Sequence, residues 1–307
     1  MTPETEGQSL AEAFRREHHL GAQPIADLFA LYELVPRLDV ASLTVANPDE
    51  HGMTAHDPHR GVTKVVVACT PNPMRQRSTL AHELAHVLFR DYENASQGGW
   101  ADREHYEKRA DGFARHLLVP LEGLRDFLGR RDQVAIADLS KVVQWFQASP
   151  RLVLIQMERA HYVDEVTKAL WWNNTTPWLA GNHGWTPQYR AMQVESQTPR
   201  APQRLLMRAT RGYQEGILSL PALARLRGAT PNVVEAELDE AGITVADPVV
   251  EWATPVARRA SPDNFADLDA LEDVDLTLPS YADNDEEASD EQTGENPPGE
   301  AGRQGDA

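Results

Sequence analysis

Between residues 60 and 120 the spacing of apolar positions changes from strand-like to helical. Val62-Thr63-Lys64-Val65-Val66-Val67-Ala68-Cys69 is rich in β-branched residues and predicts a short strand, broken by Pro71 and Pro73. Leu80, Leu84, Val87 and Leu88 then recur at helical spacing, with Ser78 or Thr79 as the expected N-cap. A second stripe, Ala110, Phe113, Ala114, Leu117 and Leu118, predicts a helix that has Glu107 near its start and stops at Pro120. Two helix-turn-helix patterns come next. In the first, Leu139–Phe146 and Arg151–Glu158 flank Ala148-Ser149-Pro150, with Ser149 as N-cap; in the second, Gly216–Leu226 and Asn232–Ala241 flank Gly228-Ala229-Thr230-Pro231, and Gly242 closes the unit. Between them, residues 163–210 scatter Trp171, Trp172, Trp178 and Trp185 among Asn, Thr, Pro and Gly, which predicts an irregular segment. Its tryptophans either cover a small core or anchor a partner. The pattern as a whole predicts an α+β fold, with a small sheet carrying Val65 to Ala68 behind the first helix and a mostly helical remainder.

The first helix carries His82-Glu83-Leu84-Ala85-His86. Two histidines four apart share one helical face, so both imidazoles can bind one Zn²⁺, while Glu83 beside them can accept a proton from the attacking water. A catalytic zinc normally takes three protein ligands and leaves a position open. Glu107 on the second helix is the candidate third ligand. Asp111, one turn further on the same face, can accept the remaining ring N–H of a liganding histidine and so fix its tautomer. Isolated acidic pairs of this kind are more often a solvated helix face; the neighbouring histidine motif favours the functional alternative. Two imidazoles and a carboxylate suit zinc, with manganese as the alternative.

The run Arg77-Ser78-Thr79-Leu80-Ala81-His82-Glu83-Leu84-Ala85-His86-Val87-Leu88, followed by Glu107 to Pro120, resembles the ImmA/IrrE-type metallopeptidases. The resemblance spans roughly residues 10–160 and includes, more weakly, Leu20-Gly21 and Pro24-Ile25-Ala26-Asp27-Leu28. Ala85 replaces the family's usual Gly before the second His, and Asp111 replaces a more usual Asn; neither change removes a ligand or the base. The resemblance implies an intracellular zinc endopeptidase of a prophage, mobile-element or stress-response circuit. Such an enzyme acts on a helix-turn-helix repressor or antitoxin, with His82, His86 and Glu107 as ligands and Glu83 as catalytic base. It does not carry over the oxyanion-stabilising group, for which Tyr92, His105, Tyr106, His116, His161 and Tyr162 are candidates. The alternative from another class is a non-catalytic regulator or antitoxin holding zinc as a structural ion. Such a site has no need of Glu83 and usually supplies a fourth protein ligand.

Charge divides the chain unevenly. The net charge is −18, but from Ser261 onward there are 15 acidic residues and one arginine, leaving the first 260 residues close to neutral. That tail is expected to be disordered, and Phe265, Leu268, Leu271 and Leu276 before its most acidic part could form a short docking helix. The expected organisation is a metallopeptidase domain over 1–130, a helix-turn-helix-like unit packed on it over 131–165, a Trp-containing irregular segment with a second helical unit over 166–250, and the acidic tail over 251–307. Direct DNA binding is disfavoured at the second unit by Glu235, Glu237, Asp239 and Glu240 on its second helix; protein recognition or plain packing is favoured. No apolar run reaches the roughly 20 residues needed to span a membrane, and the polar, acidic start does not read as a signal peptide. The single cysteine, Cys69, excludes an internal disulfide and is expected as a small core residue. A cytoplasmic location follows from these features as an expectation.

Overall fold

A computed structural model describes residues 1–45, 52–93, 100–131 and 133–245. In chain order the elements are α1 (Pro3–Glu17), α2 (Leu28–Glu33), β1 (Leu38–Leu43), β2 (Gly52–Asp57), β3 (Val62–Ala68), α3 (Pro73–Phe89), α4 (Trp100–Leu118), α5 (Leu121–Leu128), α6 (Ile136–Phe146) and α7 (Pro150–Arg159). They continue with α8 (Glu165–Trp171), α9 (Thr176–Asn182), α10 (Thr186–Ser196), α11 (Gln203–Gln214), α12 (Leu220–Arg227) and α13 (Pro231–Glu240). The fold is α+β and predominantly helical, with one small sheet. The sheet order is β1-β3-β2; β1 runs parallel to β3, and β2 runs antiparallel to it. Alternation in β3 turns Thr63, Val65 and Val67 inward, and both valines are completely buried. On the far side of β1, Ser42 exchanges two backbone hydrogen bonds with Arg200, so that edge is covered.

Four expectations are corrected. The helix bearing the histidines does not begin at Ser78 or Thr79. It begins at Pro73 with Asn72 before it, and the Ser78 hydroxyl donates back to the Met74 carbonyl at 3.0 Å. Pro73 reads as a breaker, yet the first helical position tolerates proline because its missing N–H would have had no intrahelical partner. The second helix likewise starts earlier, at Trp100, so Glu107 sits mid-helix rather than near the start. The segment expected to be irregular is instead mostly three short helices, α8 to α10, opened by the side-chain caps Asp164 and Thr175 in the first two. Trp185 is buried there and donates its indole N–H to Ser140 Oγ at 2.9 Å, while Trp178 stays half exposed. Cys69 is half-buried just past β3, not a core residue. The expected acidic tail over 251–307 and its candidate docking helix lie outside the described residues.

The main core is continuous from Ala11 to Tyr189, and the first helix-turn-helix pattern belongs to it. Val142, Val143 and Phe146 of α6 and Val153, Leu154 and Met157 of α7 are all essentially inaccessible. Burial of this kind makes α7 a packing element. The second pattern is realised as α12 and α13 around a left-handed Gly228, and with α11 it has a small core of its own: Ala209, Leu223, Ala224, Val234 and Leu238. Arg204 on α11 ties this unit back by donating to the carbonyls of Leu38 at 3.1 Å and Val35 at 3.0 Å.

Polar side chains fix α3 in place. Arg77 is buried and donates to the carbonyls of Gln147 (3.0 Å), Ala26 (3.2 Å) and Ile25 (2.5 Å). Gln76 bridges the carbonyls of Ala68 (2.9 Å) and Ser196 (3.0 Å), and the fully buried Tyr32 donates its hydroxyl to the Leu80 carbonyl. Every one of these buried polar groups is therefore satisfied across element boundaries. Against the other side of α4 lies α1. Their backbones meet at Gly7 and Gly112: a methyl group on Gly7 would overlap the Arg109 carbonyl and the Phe113 nitrogen, and one on Gly112 would come within 3.2 Å of Glu4 Cα. Glu4 then receives Arg115, His116 (3.1 Å) and Arg159 (3.0 Å). Burial raises the Glu4 pKa, but these donors outweigh it and hold the carboxyl down to about 2.

Gly7→Ala is expected to force the two helices apart and cost about 2 kcal/mol or more, lowering the thermal midpoint by several degrees. Gly181→Ala on α9, where an added methyl meets nothing within 4 Å, is expected to be neutral or slightly stabilising. Thermal unfolding followed by circular dichroism checks both.

Candidate metal centre

His82 and His86 lie one turn apart on the face of α3 that looks toward α4, their rings edge-to-face with centroids 4.7 Å apart. Their Nε2 atoms are 3.0 Å apart. Glu107 reaches in from the middle of α4 and places Oε2 at 3.1 Å from His82 Nε2 and 3.7 Å from His86 Nε2. On the opposite side of each ring stands another carboxylate: Asp111 Oδ1 is 2.9 Å from His82 Nδ1, and Asp91 Oδ2 is 2.8 Å from His86 Nδ1. An ionised carboxylate can only accept, so each Nδ1 carries the proton and donates it. The Nε2 lone pairs are left facing each other and Glu107.

Three electron-rich atoms converging this closely call for a positive charge among them. A proton can supply it in the bare protein. Burial opposes charge on His82, yet hydrogen bonds to Asp111 and Glu107 and the charge of Asp111 push its pKa up to about 10. Burial likewise opposes charge on His86, where Asp91 and Glu107 win and raise the pKa. For Glu107, burial acts to raise the pKa, but the hydrogen bonds from His82 and His86 hold it well below the usual carboxylate range. A divalent cation satisfies the same three atoms better. Zinc bonds of 2.0–2.1 Å in a tetrahedron imply ligand separations of about 3.4 Å, and the three observed separations bracket that figure. The donor set, two imidazoles and one carboxylate, fits zinc.

Glu83 comes directly after His82 and is engaged by β2. Thr54 donates its hydroxyl to Glu83 Oε2 at 2.6 Å. Two residues earlier on the same face, a Cβ on Gly52 would come within 2.6 Å of Thr79 Cγ2 and 3.1 Å of Glu83 Oε1, so only glycine lets the strand press this closely on the carboxylate. Two residues beyond Thr54, His56 stacks on Tyr92 with centroids 4.5 Å apart.

Of the residues singled out from sequence, His82, His86 and Glu107 come together, Asp111 lies against His82, and Glu83 lies beside them against β2. Most of the oxyanion candidates are engaged in packing or ion pairing. His105 bonds Glu6 (3.0 Å), Tyr106 stacks beneath Arg109, His116 is buried against Glu4, and Tyr162 donates to the Gly129 carbonyl (2.8 Å). His161 is exposed on a left-handed turn. Tyr92 is the candidate that adjoins the site's own elements. Sequence reasoning missed Asp91, Thr54 and Gly52. Asp91 lies five residues after His86, beyond the reach of same-face spacing, and is brought back by a left-handed Arg90 and a 3-10 turn. Thr54 and Gly52 lie on a strand whose alternation is too weakly apolar to read. Nothing short of the sheet pairing reveals them.

Residues 38–155 match the family model Peptidase_M78, described as the IrrE N-terminal-like domain. The matched span runs from the start of β1 into α7 and contains the three candidate ligands, Glu83, Asp91 and Asp111. No curated protein matches the chain.

Purified protein is expected to bind one zinc per chain, measured by elemental analysis, and His82→Ala or Glu107→Ala to lose it. Because the surrounding carboxylates raise the imidazole pKa values, protons compete with the metal for the site, and affinity should rise with pH. The rise should be about tenfold per pH unit for each proton displaced, and calorimetry in buffers of differing ionisation enthalpy should detect those protons.

Proposed function

We propose that the chain, whose residues 38–155 match the IrrE N-terminal-like peptidase domain, is a zinc-dependent endopeptidase. The observation that carries this reading is the meeting of His82, His86 and Glu107 from α3 and α4 around one point, with Glu83 next to them and free of any role in holding the ion. A divalent cation held there supplies Lewis acidity and lowers the pKa of water toward neutrality. Glu83 then acts as general base: Thr54 holds one carboxylate oxygen, and the carboxylate accepts a proton from the attacking water and passes it to the leaving amine nitrogen. Tyr92 is the candidate donor to the developing oxyanion.

The sheet supports a peptide substrate. β2 is an edge strand, and among the described residues it pairs with β3 alone. Gly52 and Thr54 meet Glu83, so an extended segment adding to that edge would pass beside the base. The regulatory setting rests on the sequence resemblance. The substrate we propose is a helix-turn-helix repressor or antitoxin, cut in a prophage, mobile-element or stress-response circuit in the cytoplasm. Among the described residues no helix is long and apolar enough to cross a membrane, which agrees with that setting. The acidic face of α13 is better suited to protein contact than to DNA phosphates. A purely structural zinc site would use a fourth protein ligand in place of a held base. Among the described residues the cluster offers three donors, which favours the catalytic alternative over a non-catalytic regulator.

Glu83→Gln should keep zinc and lose cleavage by at least about a hundredfold. The test is co-expression of wild type and Glu83→Gln with any helix-turn-helix protein found encoded next to the gene, followed by mass spectrometry of that protein. Cleavage by the glutamine variant at the wild-type rate would sink the assignment of Glu83, and an intact neighbour with both would sink the proposed substrate.

A further inference from the structure

The two imidazoles are not supported equally. Asp111, behind His82, stands on the rigid body of α4. Asp91, behind His86, stands just past the end of α3, where Arg90 takes a left-handed conformation (φ 56°) and the α-helix gives way to a short 3-10 turn. Its carboxylate is nevertheless almost fully buried, at 8% exposure, and a buried anion needs both a counter-charge and a fixed orientation. Arg109 on α4 provides both. Its Nη2 donates to Asp91 Oδ1, which leaves Oδ2 turned toward His86 Nδ1. The guanidinium is itself clamped between the Phe89 ring at 4.1 Å and the Tyr106 ring at 4.5 Å. Beyond it, Glu6 of α1 lies 3.8 Å from Arg109 Nη1 and 3.0 Å from His105 Nε2. The Gly7–Gly112 crossing brings α1 close enough for this contact.

We propose that Glu6, Arg109 and Asp91 form a positioning relay that runs from the first helix to His86 and sets the orientation of that metal-binding ring. Glu6 lies outside the matched segment, so α1 becomes part of the support of the metal centre and not merely a cover for α4. The three act through His86 and touch no reacting atom; they are positioning residues. The inference rests on reading His82, His86 and Glu107 as metal ligands.

The test uses the full chain and reads metal affinity by competition with a chromophoric zinc chelator, together with the visible spectrum of the cobalt-loaded protein. Asp91→Ala is expected to weaken zinc binding roughly 10- to 100-fold, Arg109→Gln about tenfold, and Glu6→Gln about two- to fivefold, each with an altered cobalt spectrum. Arg109→Lys, which keeps the charge, should recover part of the loss. The double variant Asp91→Ala/Arg109→Gln should bind no more weakly than Asp91→Ala alone, because both act through one contact. Arg131→Gln, which breaks the remote ion pair with Asp138, should lower thermal stability and leave zinc affinity unchanged. Should Asp91→Ala fail to fold, Arg109→Gln decides by itself. Wild-type affinity and spectrum in a folded Arg109→Gln overturn the relay, and so does an equal loss in Arg131→Gln. Absence of metal binding in the wild type overturns the site reading instead, so the two failures are distinguishable.

Discussion

Four carboxylates, from Glu83, Asp91, Glu107 and Asp111, gather around two imidazoles, and their mutual repulsion is the constraint the rest of the molecule answers to. Like charges at this spacing are tolerable only if cations lie between them. Arg109 supplies one positive charge from within the protein. The remaining excess can be offset by protons on the histidines or by a divalent ion at their Nε2 atoms. Because both Nδ1 atoms donate to carboxylates, turning either ring away from that point breaks a hydrogen bond to a charged acceptor. The site is thus pre-organised by the groups behind the ligands as much as by the ligands.

Pre-organisation also depends on where α3 sits, and that is settled by polar anchors at its first turns. Arg77 grips three carbonyls from the segment before α2 and from the end of α6, Gln76 joins the sheet to α10, and Tyr32 caps the Leu80 carbonyl. These contacts link α3 to parts of the chain on both sides of the matched domain. The domain is therefore embedded: α1 presses on α4 from one side through a glycine crossing, and α10 meets α3 from another.

The helices carrying the candidate ligands were legible because helical periodicity is local. Leu80 and Leu84, and Ala110, Phe113, Ala114 and Leu117, are buried as their spacing demands. Helix starts were not legible. Pro73 looks like an interruption yet sits at the first helical position, which accepts proline, and the polar stretch before Glu107 lies inside a helix whose packing outweighs weak local preference. β1 and β2 escaped notice for a related reason: six-residue strands of mixed polarity are defined by the partner they bond, and β3 lies between them in the sheet although it comes after both in the chain.

His82 and His86 share a helical face, with Glu83 beside it, wherever that pentapeptide folds as a helix, and Asp111 joins Glu107 on one face by the same geometry; those relations belong to the sequence, since a 3.6-residue repeat needs no other part of the chain. Whether α4 would approach α3 closely enough to close the trio, which carboxylate would stand behind His86, and which strand would hold the base were decided in three dimensions. Asp91, Arg109, Glu6 and Thr54 come from a turn, a neighbouring helix, the first helix and an edge strand, and what joins them is the packing of whole elements, a non-local property that no spacing along the chain records.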